Sequence, residues 1–121
     1  MNIKVLVADC SVSFRNMISF TLKTFGFDVL EAVSGSDAIL KAVNFQPQVI
    51  IADRNLPKID GIELTKCLRT LPGFCFTPII LLGSEPIGCE KMDIMRAGAT
   101  FCLEKGVEPD RYVSAIRRVL D

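Results

Sequence analysis

Pro47-Gln48-Val49-Ile50-Ile51-Ala52-Asp53-Arg54-Asn55-Leu56-Pro57-Lys58-Ile59-Asp60-Gly61 is the segment from which the rest of the chain can be laid out. Val49 to Ala52 is an unbroken apolar run, which suits a strand buried on both faces in the middle of a parallel sheet. The run stops on a carboxylate, Asp53. Asn55, Pro57, Asp60 and Gly61 then supply turn-forming residues. Asp53 is therefore expected at the carboxyl end of a central strand, on the edge where open α/β sheets bind ligands.

Working outward, the same pattern recurs. Ile3 to Ala8 reads as a strand ending on Asp9, and Ser11 or Ser13 can cap the helix that follows. Phe14, Met17, Ile18, Leu22 and Phe25 recur at helical spacing before Gly26. Phe27 to Ala32 is a second strand. Ser34-Gly35-Ser36 opens a second helix with Ala38, Ile39, Ala42 and Val43 inward, ended by Asn44 to Pro47. Beyond the central strand, Ile62, Leu64, Leu68 and Leu71 mark a third helix, closed by Pro72-Gly73. Phe76 to Leu82 is a fourth strand, and Gly83 to Pro86 a loop. Met92, Met95 and Ala97 sit on a fourth helix stopped by Gly98. Ala99 to Leu103 is a short fifth strand. Pro109 stands in the first turn of a last helix whose stripe is Val113, Ile116, Val119 and Leu120. Strand and helix alternate five times, which argues an α/β domain with a parallel sheet covered on both faces.

The totals agree with one domain. The chain has 121 residues, half of them hydrophobic, and can bury roughly two thirds of its unfolded surface without a disulfide or metal staple. Apolar runs are too short for a membrane span, and the amino terminus lacks a signal-peptide pattern, so a cytoplasmic location is expected. Fourteen basic residues balance fourteen acidic ones. No long basic stripe predicts nucleic-acid binding, and Arg111, Arg117 and Arg118 read as complements to a helix dipole. The five cysteines, at 10, 67, 75, 89 and 102, form no Cys-x-x-Cys pair. All but Cys10 are expected to pack as small buried hydrophobes. With no histidine, histidine metal sites, Ser-His-Asp triads, Cys-His pairs and phosphohistidine carriers are excluded.

The chemistry gathers after the strands. Asp9, Asp53, Gly83-Ser84 and Lys105 all fall at strand ends that share one edge of a parallel sheet. Two carboxylates and an ammonium would then converge. The carboxylates repel and lose solvation on burial, and a cation relieves both costs. Carboxylate and carbonyl oxygens suit magnesium. A carboxylate beside such a metal is a competent nucleophile toward phosphorus. The plainer alternative makes the aspartates strand-end caps and Lys105 a surface ion-pair partner.

Four segments, Val5-Leu6-Val7-Ala8-Asp9-Cys10-Ser11, Asp53 to Leu64, Pro78 to Leu82, and Ala97-Gly98-Ala99 followed by Lys105, together resemble the response-regulator receiver domain of two-component signalling. The resemblance covers essentially all of residues 1–121. It implies a flavodoxin-like three-layer αβα sandwich, with a five-stranded parallel sheet of order 2-1-3-4-5 and five helices. It implies a non-enzymatic receiver that takes a phosphoryl group on Asp53 from a histidine kinase or phosphotransfer protein. The signal would then pass to a downstream protein or to an output domain elsewhere. Asp9, Asp53 and the backbone carbonyl of Asn55 match magnesium ligands, and Lys105 matches the phosphoryl-contacting lysine. The surface of the fourth helix, fifth strand and fifth helix matches the output face, where Gly88, Met92 and Met95 would adapt to partners or simply fill core gaps. Because the chain closes on the fifth helix, no output domain is expected within it.

Three positions depart from the family pattern. Cys10 replaces the second acid, and a soft thiol is a poor magnesium ligand, so metal binding should weaken. Gly83 stands where a hydroxyl residue is usual, with Ser84 one place late. Cys102 occupies the place of the aromatic switch residue, and Phe101 should face the other side of the strand. Gly106 replaces a more usual proline after Lys105. The alternative function is a degenerate receiver that acts as a phosphorylation-independent interaction module. A flavin- or nucleotide-binding enzyme is disfavoured because Asp9 to Ser13 lacks glycine and opens on a negative charge. A redox role for Cys10 is disfavoured because negative neighbours oppose a thiolate.

Overall fold

A computed structural model describes residues 2–84 and 89–121, with the side chains of residues 89 and 90 outside the description. The elements are β1 (Lys4–Ala8), α1 (Val12–Thr24), β2 (Asp28–Ala32), α2 (Gly35–Phe45), β3 (Val49–Asp53), α3 (Gly61–Thr70), β4 (Ile79–Gly83), α4 (Cys89–Arg96), β5 (Phe101–Glu104) and α5 (Pro109–Leu120). All four strand pairings are parallel, in the order β2-β1-β3-β4-β5. The alternation of strand and helix implied the parallel sheet, and the family resemblance implied its strand order.

Side chains alternate across the sheet, and each face has its own core. Leu6, Ala8, Ile50, Ala52, Ile79 and Leu81 pack against Ala38 and Ala42 of α2, Leu64 and Leu68 of α3, and Ile94 of α4. Val5, Val7, Val49, Ile51, Ile80 and Leu82 pack against Ile18 and Leu22 of α1 and Tyr112, Val113 and Ile116 of α5. That is why β1, β3 and β4 read as continuous apolar runs: both faces are covered. Full burial of each large aliphatic side chain is worth roughly 1.5–3 kcal/mol. The starts of α1, α2 and α3 are capped by side chains. Ser11 accepts from the Phe14 N–H, Ser34 from Asp37 and Asp60 from Glu63. Of the two serines able to cap α1, Ser11 does so.

Several expectations need correction. The fourth strand begins at Ile79, not Phe76, which is 92% exposed. Pro78 has no N–H to give to a ladder. Residues 74–77 are instead held by Arg69, which donates to the carbonyls of Phe74, Thr77 and Gly98. Val43 is exposed, and α2 runs on to Phe45 before Gln46 turns left-handed at φ 55°. On α4, Met92 and Met95 are 51% and 42% exposed, while Ile94 is fully buried. The methionines therefore do not fill the core. Cys67 and Cys75 are exposed and Cys102 is half-buried, against the expectation of buried thiols. Glu85, Pro86 and Gly88, assigned above to a loop and to the adaptable face of α4, lie outside the described residues.

Candidate functional site at the carboxyl edge of the sheet

The carboxyl ends of β1, β3 and β5 bring Asp9, Asp53 and Lys105 together. The Lys105 Nζ lies 2.7 Å from Asp9 Oδ2 and 2.9 Å from Asp53 Oδ2. Asp9 is wholly buried and Asp53 nearly so, whereas the lysine side chain keeps partial contact with solvent. The plainer reading of Lys105 as a surface ion-pair partner does not fit this position, because both its partners are buried.

Local backbone geometry aims the two carboxylates. Asp9 Oδ1 accepts from the Ser11 N–H at 2.8 Å, and Asp53 Oδ1 accepts from the Asn55 N–H at 3.0 Å. Each aspartate thus commits one oxygen to the loop two residues ahead and turns the other toward the ammonium, an Asx-type arrangement. The strand ends are also held. Asp9 N–H donates to the Ala32 carbonyl, Arg54 N–H to Leu82 and Lys105 N–H to Gly83. Gly61 is required beside β3. A Cβ there would lie 2.7 Å from the Asp53 carbonyl oxygen and 2.8 Å from the Arg54 Cα, so any larger residue would push the loop off the strand end.

The electrostatics centre on Lys105. Burial by itself would lower its pKa, but hydrogen bonds to Asp9 and Asp53 and their charges outweigh that and raise it above the ordinary value. The cleft therefore holds a fixed cation between two carboxylates. A dry interior would make such a pair costly, and the partial exposure of Lys105 moderates that cost.

The remaining expected site residues are placed as follows. Asn55 is exposed in the loop after β3. Cys10 is exposed just beyond Asp9, and no third acid joins the two aspartates in a metal-holding cluster among the described residues. The Asp9 and Asp53 carboxylates are oxygen donors of the kind a hard divalent ion takes, and here the Oδ2 atom of each faces the Lys105 ammonium. Gly83 is buried at the end of β4 and Ser84 is exposed beyond it. Cys102 packs against the α2–α3–α4 face, while Phe101 packs on the opposite face, where Arg118 lies 5.4 Å from its ring centre.

Three features escaped the sequence reading. The Lys105 Nζ lies 4.5 Å from the centre of the Phe14 ring. Gly106 has φ 99° and donates its N–H to the Tyr112 hydroxyl at 2.9 Å. Proline could do neither, so glycine after Lys105 is a structural requirement here. Arg15 donates to the Asp9 carbonyl and pairs with Glu31 at 3.2 Å, tying α1 to β1 and β2. Only the glycine carries a signal in sequence. The aromatic and guanidinium contacts join elements whose separation along the chain conceals them.

Comparison with known proteins places this chain in a family. The family model described as "Response regulator receiver domain" matches residues 5–117. The chain is 35% identical over 119 residues to the chemotaxis protein CheY1 of Helicobacter pylori, covering 97% of this chain and 96% of that one. The high-resolution structure of the chemotaxis response regulator CheY4 of Vibrio cholerae superposes with a TM-score of 0.94 at 36% identity, covering 98% and 99% of the two chains. The alkaline phosphatase synthesis transcriptional regulatory protein PhoP of Bacillus subtilis is 32% identical over 120 residues, 99% of this chain but 49% of PhoP. The chain thus spans about half the length of that relative. With this breadth of match on the same fold, the chain belongs to the response regulator receiver domain family, the signal-receiving module of two-component systems.

Proposed function

We propose that residues 1–121 act as one receiver module in which Asp53 accepts a phosphoryl group from the phosphohistidine of a histidine kinase or phosphotransfer protein. The observation that carries this reading is the placement of Lys105 between Asp9 and Asp53, at 2.7 and 2.9 Å. A carboxylate oxygen of Asp53 attacks phosphorus, an acyl phosphate bond forms, and the P–N bond breaks, with its electron pair leaving on the imidazole. Lys105 shifts its ammonium from the Asp53 carboxylate to the phosphoryl oxygens and stabilises their charge. Asn55 N–H and Ser11 N–H keep the two carboxylates in place. Magnesium, when bound by Asp9, Asp53 and the Asn55 carbonyl, offsets repulsion between the carboxylate and the incoming phosphoryl group. Cys10 weakens that hold.

The module is not an enzyme in its own right. It works in the cytoplasm, passing its state to a downstream protein or an output domain through protein contacts, without membrane or direct nucleic-acid binding. The exposed Met92 and Met95 on α4 suit an adaptable contact face. Incubation with acetyl phosphate and magnesium, followed by intact-mass measurement, tests the reading. One phosphoryl adduct is expected, and Asp53→Asn should abolish it. If no adduct forms even at high magnesium, the chain is instead a phosphorylation-independent interaction module, as Cys10 and Gly83 would allow.

A further inference from the structure

We infer that Phe14 is a positioning residue that seats the Lys105 ammonium over its ring, so that the lysine stays in the cleft when its carboxylate partners change. The inference rests on the phosphoacceptor reading above for its consequence, but not for its geometry. Phe14 stands in the first turn of α1, half-buried, and the Lys105 Nζ lies 4.5 Å from its ring centre. An ammonium at that distance from an aromatic ring is attracted by the ring quadrupole, and more strongly where water is partly excluded.

The seat is itself braced on two sides. Tyr112 meets Phe14 edge-on, with ring centres 5.8 Å apart and planes at 82°, a favourable aromatic arrangement. The Tyr112 hydroxyl accepts from the N–H of Gly106, the residue that follows Lys105. One aromatic pair thus supports both the side chain of Lys105 and the backbone just beyond it. On the other side, the Phe14 N–H donates to Ser11 Oγ, the Ser11 N–H donates to Asp9 Oδ1, and Asp9 Oδ2 meets the Lys105 Nζ. Asp9, Ser11, Phe14 and Lys105 form a closed circuit of short contacts.

The circuit matters because the ammonium has few partners. Cys10 brings no carboxylate to the cleft, and among the described residues the ammonium pairs with Asp9 and Asp53 only. When Asp53 becomes an acyl phosphate, one of those two is consumed. The ring is an attractive surface that does not change during the reaction. It lets the ammonium tilt from Asp53 to the phosphoryl oxygens without swinging into solvent.

The test compares Phe14→Leu, which keeps apolar bulk without a ring, with Phe14→Tyr, which restores the ring. In proton NMR, the Lys105 side-chain methylene signals nearest Nζ are expected upfield in the native chain, unshifted in Phe14→Leu and upfield again in Phe14→Tyr. Phosphorylation by acetyl phosphate should slow about threefold in Phe14→Leu and recover in Phe14→Tyr. Should Phe14→Leu fail to fold, Phe14→Met fills the same space with a flexible chain and carries the same expectations. Methylene signals unchanged between the native chain and the ringless variant would overturn the inference, as would a rate loss that the tyrosine does not recover. If none of the chains forms an adduct, the phosphoacceptor reading fails while the NMR comparison still decides the seat.

Discussion

The inner wall of the cleft and its rim differ in how closely they are held. Asp9, Asp53 and Lys105 form the wall. Two of the three are buried, every strand end carries a backbone hydrogen bond, and the ion pairs are short. Cys10 and Ser84 form the rim, both exposed. Gly83 and Cys102 lie on β4 and β5, Gly83 buried and Cys102 half-buried. The wall is bound into the folding core and the rim is not, so substitution at the rim costs little stability and can alter chemistry freely. The charged groups of the cleft stand in the wall, and the thiol of Cys10 and the hydroxyl of Ser84 stand at the rim.

This contrast can be broken or sharpened experimentally. The largest effect is expected just behind the wall, from Gly106→Pro at the residue that follows Lys105. It removes the N–H that Tyr112 accepts and cannot adopt φ 99°. A loss of about 2–3 kcal/mol in unfolding free energy is expected, measured by urea titration. A neutral result would mean that the Tyr112 contact does not brace Lys105. At the rim, Cys10→Asp should leave stability nearly unchanged and raise magnesium affinity about tenfold, read by calorimetric titration, because one more carboxylate joins the donor set. An unchanged affinity would place the second acid outside the cleft. The smallest effect concerns pH. The folded pKa of Lys105 is raised, so its contribution to stability is complete below the ordinary value of 10.5 and is lost as pH rises through the folded value. The stability gap between the native chain and Lys105→Met should be flat at neutral pH and narrow only above pH 10.5. Melting curves across that range would show a gap independent of pH if the ammonium were not held by the aspartates.

The sequence was most legible where burial is two-sided. The apolar runs of β1, β3 and β4 end on or beside the polar residues that line the cleft, and strand order alone brings Asp9, Asp53 and Lys105 to one edge. It was least legible on α4, where Met92, Ile94 and Met95 are all apolar but only Ile94 is buried. A helix of 8 residues is too short for its period to mark an inner face. Phe76 misled for a related reason. It extends an apolar run, yet Pro78 and the Arg69 contacts hold the segment as a loop. The cysteines read as core because the residue type usually is, but Cys67 lies on the solvent side of α3.

From sequence alone followed the alternation of strand and helix, the sheet that it implies, and the convergence of two carboxylates and a lysine, because period and strand direction are local properties of the chain. Tertiary structure alone decided that a phenylalanine from α1 lies beside that lysine, that a tyrosine from α5 holds the glycine after it, and which methionines face water. Those outcomes depend on which element covers which, and on the distance at which side chains remote in the chain finally meet.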